Sequence, residues 1–193
     1  MSAVASTDRR VKRTRRALGE ALIALMTERG WDEIGVQDIC DRADVGRSTF
    51  YMHFTAKEAL LASGFGDLRQ ELRSRRPAAG SKDGRAAPLH FARGMIEHVH
   101  ENQRLFRAVV GKRSGYVVQR HFRELVIGLV EEDLAGYAAP GWRREAAAHC
   151  LAGALVELLT WWLQGRRAQQ PEDLEGLLER FTTPVLAHLR ATR

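Results

Sequence analysis

Residues 36–57 read VQDICDRADVGRSTFYMHFTAK, and the fold turns on how this stretch is read. Val36, Ile39, Cys40 and Ala43 recur at i, i+3, i+4 and i+7, the spacing of one apolar helix face. The pattern stops at Asp44, one of the few non-glycine residue types that tolerates a left-handed turn. Val45 is a buried-type residue just past the turn. A second short helix is predicted from Arg47 to Phe54, with Gly46 or Arg47 at its start. Two short helices joined by roughly three or four residues make a helix-turn-helix. The second helix carries Arg47, Ser48, Thr49, Tyr51 and His53, a dense set of hydrogen-bonding groups, while Phe50 and Phe54 anchor it from the opposite face. Such side chains suit base edges and phosphates reached from a DNA major groove.

The run resembles the recognition region of the tetracycline-repressor (TetR) family of bacterial one-component regulators. That family shows Ile-Ala-x-x-Ala-Gly-Val, a few variable residues, then Tyr-x-His/Tyr-Phe-x-x-Lys. Here the matching residues are Ile39-Cys40, Ala43-Asp44-Val45, and Tyr51-Met52-His53-Phe54 with Lys57. The preceding helix, with Gly30-Trp31 at its end, also fits. Two departures stand out. Asp44 replaces the usual turn glycine, and Gly35 sits where a Thr or Ser cap opens the first helix of the motif. Glycine caps are only slightly weaker. The resemblance implies a homodimer held by the last two long helices of each subunit in a four-helix bundle. It further implies a near-palindromic operator read in successive major grooves about 34–36 Å apart or slightly more. A small-molecule effector in the C-terminal core would tilt the fourth helix and release the DNA. By the same resemblance, Tyr51, His53 and Lys57 contact backbone phosphates; for Tyr51 a half-buried place in the core is the competing reading.

Arg47 is the candidate for direct base readout, since bidentate Arg–guanine contact is the commonest specific one. A cation near a helix start opposes the dipole, so it makes more sense with a base or phosphate in front of it. Thr49 suits a thymine methyl or a base acceptor, and Ser48 faces the same groove. Upstream, Arg9, Arg10, Lys12, Arg13, Arg15 and Arg16 make six basic residues in eight positions. Such a run is either a solvated tail or an electrostatic footprint for nucleic acid, and its place before a helix-turn-helix favours the second. Lys12, Arg13 and Gln37 complete the candidate DNA-contact set.

The 193 residues suffice for one large or two small domains. A hydrophobic content of 45% belongs to soluble globular chains, and net charge is +6. No apolar run approaches the ~20 residues of a membrane span, and MSAVASTDRR lacks the apolar block of a signal peptide. A cytoplasmic protein without membrane attachment is expected. Cys40 and Cys150 lie on separate predicted helices, suggest no disulfide framework, and read as small buried hydrophobes.

Taken in order, the first helix is expected over 8–29, with Leu18, Ala21, Leu22 and Leu25 as its buried stripe. The fourth is expected over 56–76 with Thr55 and Glu58 as a capping box. PAAGSKDGRAAP, residues 77–88, reads as a linker. Further helices are expected over 89–102, 103–110, 116–137, 142–164 and 171–191. Pro184 falls inside the last, whose stripe is Leu174, Leu177, Leu178, Phe181, Val185 and Leu189, and should kink it. The fold is therefore all-α, about nine helices: a three-helix helix-turn-helix domain over 9–69 and a helical effector-binding and dimerisation domain over 77–193.

No catalytic residues, metal or cofactor are expected. His98 and His100 point to different helix faces, the other histidines lack ligand spacing, and phosphate loops, nucleophile elbows and paired cysteines are missing. Glu131, Glu132 and Asp133 read as a solvated helix face. The bulky C-terminal residues Phe91, Met95, Phe106, Tyr116, Phe122, Trp161 and Trp162, with His98, either line an effector pocket or fill a core. If they line it, the effector is small and largely apolar. Two other functions remain open. A small helical enzyme or ligand carrier would need convergent acid–base groups; an architectural DNA-binding protein would hold an operator that no metabolite loosens.

Overall fold

The computed structural model describes residues 2–74, 89–110, 115–135, 140–165 and 169–191. Among the described residues all regular structure is helical. The helices are α1 (Ser2–Glu28), α2 (Val36–Ala43), α3 (Arg47–His53), α4 (Lys57–Ser74), α5 (His90–Glu101), α6 (Gln103–Val110), α7 (Gly115–Leu134), α8 (Trp142–Gln164) and α9 (Pro171–Ala191), with a 3-10 turn at Trp31–Glu33. The linker expected over 77–88 lies outside the described residues, as do 75–76, 111–114 and 137–139.

The first three helices close on one apolar centre. Leu18, Leu22 and Leu25 of α1 meet Trp31, Ile34, Ile39, Cys40, Phe50 and Phe54, all buried. Burying each large side chain contributes about 1.5–3 kcal/mol, which is why helices of eight and seven residues persist where they would not alone. Asp44 takes φ 52°, ψ 48°, the left-handed conformation that its place after α2 requires. Gly35 has no side chain to cap α2, and Asp38 replaces the missing contact. Its carboxylate accepts the Gly35 amide at 2.7 Å and pairs with Arg29 at 2.9 Å. The Gly35 amide first, then Arg29, hold the Asp38 carboxyl below the usual carboxylate range. Arg42 grips Glu28 with two bonds of 2.9 and 2.7 Å, tying α2 back to α1.

Helix α4 carries this head to the rest of the molecule, and α7 is tied to α4 at one end and to the 3-10 turn at the other. Arg73 donates to Glu132 at 2.8 Å, and Arg69 bonds the same carboxylate. Glu132 is therefore an anchor for α4 rather than part of a merely solvated acidic face. At the other end Gly115 opens α7 with φ +70°, and a Cβ there would meet the Trp31 ring at 3.4 Å. Glycine is needed twice over, for the left-handed backbone and for the close approach.

In the body, Phe91, Met95, Ile96, Val99, Phe106, Phe122, Leu155 and Leu159 are buried together. Cys150, expected inside, is exposed. Helix α8 is long and apolar enough to cross a membrane by length and mean hydropathy, although no apolar run of that size was expected. Ala147, Ala148, Leu151, Ala152, Leu155, Leu159, Trp162 and Leu163 are nevertheless buried within the protein, which makes it a core helix here. Helix α9 continues through Pro184. The hydroxyls of Thr182 and Thr183 bond the Leu178 and Glu179 carbonyls at 2.9 and 2.7 Å just before it.

Candidate nucleic-acid interface

Helix α3 has seven residues and one buried side chain, Phe50. The core holds it by Phe50 and by Phe54, whose amide donates back to the Phe50 carbonyl at 2.9 Å. At 100° per residue, the face opposite these phenylalanines is Ser48, Thr49 and Met52. Arg47 and Tyr51 flank it on one side and His53 on the other. Arg47, Ser48, Tyr51 and Met52 are exposed, while Thr49 and His53 are half-buried. Tyr51, 49% exposed, is outside the core. The Arg47 guanidinium lies 5.9 Å from the centre of the Tyr51 ring, and a hydrogen bond to Tyr51 raises its already high pKa. The outer surface of α3 thus presents one cation, three hydroxyls and one imidazole on a rigidly held helix.

Met52 did not figure among the expected contacts, yet at 74% it is far more exposed than an apolar side chain gains from being in water. Its position between Ser48 and His53 puts it at the centre of the outward face, where a thymine methyl would offer it an apolar partner. The sequence signal was present in the helical wheel, but methionine reads as core by default.

On α1, Lys12, Arg13, Arg15 and Arg16 are exposed. Arg15 is fixed by the Ser63 hydroxyl at 2.9 Å and lies 4.6 Å from the Phe54 ring centre, joining α1 to the end of α3. Gln37 is exposed at the start of α2, its amide donating to Asp41 at 2.6 Å. Lys57 differs from expectation. Its ammonium donates to the Trp31 and Ile34 carbonyls at 2.9 and 2.8 Å and lies 4.5 Å from the Trp31 ring centre. It fastens the start of α4 to the turn after α1, a positioning role that competes with any phosphate for the same group.

The expected effector residues do not form one set. Tyr116 is 77% exposed and Trp161 42% exposed, so both lie outside the core. Both sit where the apolar periodicity of their helices passes onto the outer face. Phe91, Met95, Phe122 and Trp162 are buried in the packed core; Phe106 meets Phe122 edge-on at 5.7 Å, and Trp162 donates to the Gln169 carbonyl at 3.1 Å. His98 and Phe106 border a cavity shared with α1 and α4. Among the described residues no three His, Cys, Asp or Glu side chains gather as a metal site needs.

Residues 19–63 match the family described as bacterial regulatory proteins of the tetR family, and residues 87–184 match a transcriptional regulator C-terminal region. No protein of curated function matches. Solved structures do. A TetR transcriptional regulator from Streptococcus agalactiae 2603V is 26% identical, with TM-score 0.67, over 92% of this chain and 98% of that one. NalD, the secondary repressor of the MexAB-OprM multidrug efflux pump in Pseudomonas aeruginosa, is 21% identical with TM-score 0.64, over 93% and 98%. The dihydroxyacetone kinase operon activator DhaS is 19% identical with TM-score 0.57, over 92% and 97%. With an exposed donor-rich α3 on a helix-turn-helix head and both halves of the sequence matched, the chain belongs to the TetR family of DNA-binding transcriptional regulators.

Proposed function

We propose that the protein is a cytoplasmic, non-enzymatic repressor that binds a near-palindromic operator as a homodimer and is released by a small, largely apolar effector. Residues 9–69 form the DNA-binding head and 77–193 the effector-binding and dimerisation body. Arg47, Ser48, Thr49 and Met52 face base edges. Tyr51, His53, Lys12, Arg13 and Gln37 contact or border the phosphates, which set register without reading sequence.

The observation that carries the dimer is the surface left on α8 and α9. Cys150, Ala154 and Trp161 are exposed along one side of α8, at i, i+4 and i+11. On α9, Phe181 is 70% exposed and Val185 follows one turn later, also exposed. These two helices pack on one another, and exposed apolar side chains on both, beside the exposed Glu157 of α8, suit an interface. Leu155, by contrast, has no exposed surface and belongs to the monomer's own core. Paired heads follow from a pair of bodies, and half-sites about one helical turn apart follow from paired heads. NalD is a repressor and DhaS an activator in name, so the fold serves both signs of control; repression is the simpler consequence of a dimer lying across an operator. Sedimentation of the native chain and of Phe181→Glu, each with and without operator, tests the reading. A dimer that the substitution splits, with loss of operator binding, is expected. A monomer that binds operator as well as the native protein would overturn it.

A further inference from the structure

Helix α4 meets α7 along a seam whose contacts advance in step. Phe65, Arg69 and Arg73 recur every fourth residue and form one stripe of α4. Facing them in the same order are His121 and Phe122, then Gly128, then Glu132. Phe65 stacks on the His121 ring at 6.2 Å and lies tilted to the Phe122 ring at 6.3 Å. One turn further along α4, Arg69 rests on Gly128. A Cβ at Gly128 would lie 3.1 and 3.3 Å from the two terminal nitrogens of Arg69 and 3.4 Å from the carbon between them. Three such similar distances put the guanidinium flat across the glycine. Arg73 then donates to Glu132 at 2.8 Å, and Arg69 bonds the same carboxylate.

Two features single out this seat. Gly128 lies inside α7, where alanine makes the better helix; its use is the space that a side chain would take from Arg69. Arg69 Nε is buried and meets no hydrogen-bond partner among the described residues, which costs stability. A lysine would bond Glu132 without that buried donor, but it has no plane to lay across a glycine. The seam also stands between the dimer surface and the DNA. Helix α7 packs on α8, and α4 packs on α1, where Arg15 bonds Ser63 at 2.9 Å. Arg69 lies about 18 Å beyond Lys57, the start of α4, at ~1.5 Å per residue. A turn of about 10° at the seat therefore moves that end by about 3 Å, close to the ~3.4 Å between successive base pairs.

We propose that Arg69, seated on Gly128 and bonded to Glu132, is a positioning residue that determines which half-site spacing the protein accepts. The proposal rests on the reading that a homodimer binds the operator. The seat fixes α4 against its own body, and the paired bodies then fix the distance between the two α3 helices. Specificity of this kind is separate from base readout by Arg47, because a wrongly spaced half-site is refused whatever its sequence.

The test uses the full chain, which first selects its operator from random double-stranded DNA. Duplexes with the spacer one base pair longer or shorter are then titrated with the native chain, Arg69→Met and Gly128→Leu. Each change of spacer displaces one half-site by about 3.4 Å and turns it by about 35°. The native chain should bind the altered spacings roughly tenfold or more weaker than the selected one. Both variants should reduce that ratio to about threefold or less while keeping the native base preference within each half-site. Melting curves check folding; Arg69→Met keeps the side-chain stem and carries the test alone should Gly128→Leu not fold. A native spacing preference that the variants retain, with or without a lower melting temperature, overturns the proposal and assigns the angle to the packing of α1 on α6. Equal loss of binding at every spacing overturns it as well, since that is the mark of a purely structural role. A native chain that selects no inverted repeat, or binds all spacings alike, overturns the dimeric reading and the proposal with it.

Discussion

Replacing Lys57 by Met keeps the aliphatic stem and removes the ammonium. Two hydrogen bonds go with it, to the Trp31 and Ile34 carbonyls at 2.9 and 2.8 Å, together with the contact to the Trp31 ring at 4.5 Å. A hydrogen bond from a charged group contributes about 1.5–3 kcal/mol, and the lost partner leaves acceptors behind. Cation–π contact adds about 0.5–1 kcal/mol at an exposed site. Lys57 is half-buried, and solvent screening takes back part of the sum. A loss of about 2–4 kcal/mol remains, large against a typical total of 5–15 kcal/mol. Urea unfolding should show it as a lower midpoint. Operator titrations at several salt concentrations should show weaker binding, with the slope of log K against log salt unchanged. A phosphate contact would behave the other way, leaving stability alone and lowering the slope by about 0.9. That second pattern would refute the positioning role.

Other outcomes follow from the same geometry. Arg47→Ala should cost about 1–3 kcal/mol of operator affinity and relax base preference at one position per half-site; Met52→Ala should relax a different position, both read by titrating labelled duplexes with single base changes. Leu155→Ala should lower stability by about 2–5 kcal/mol through cavity formation, whereas Phe181→Glu should act mainly through loss of the dimer, a contrast that unfolding at two protein concentrations resolves. For Glu132, burial pushes the carboxyl up, but bonds from Arg73 and Arg69 outweigh it and the net shift is downward. A depressed carboxylate stabilises above its unfolded pKa, about 4.3 for Glu, and that stabilisation fades as pH falls through the lower folded value. Protection of the α4 amides relative to their intrinsic exchange rates should therefore fall on acidification below about pH 4.3, and that fall should be absent in Glu132→Gln.

The head was legible in the sequence because its signals are local. Apolar spacing from Val36 to Ala43, a turn residue at Asp44 and two phenylalanines one turn apart each constrain neighbours in the chain. The Asp38 carboxylate three residues after Gly35 is the other half of a capping box, a signal masked by the missing Ser or Thr at position 35. The body was harder. Residue type marks Trp161, Tyr116 and Phe181 as apolar, but burial depends on which helix arrives opposite, and α8 and α9 carry apolar residues on more than one face. On α9 the inward line is Leu174, Leu178, Thr182, Leu186 and Leu189, so the expected stripe mixed its two sides. Contacts between residues far apart in the chain, such as Arg69 and Arg73 with Glu132 or Lys57 with Trp31, leave no periodic trace. The cavity is a property of how α1, α4 and α6 cross, which no single helix records.

The central claim is that paired α3 helices read a two-fold symmetric DNA sequence. Selection of random double-stranded DNA by the purified chain, followed by sequencing of the bound fraction, tests it most directly. The account predicts an inverted repeat whose half-sites are centred about 34–36 Å apart or slightly more, and Arg47→Ala should lose the base preference at one position of each half-site. Recovery of DNA without a common sequence, or of a single unrepeated site, would contradict it.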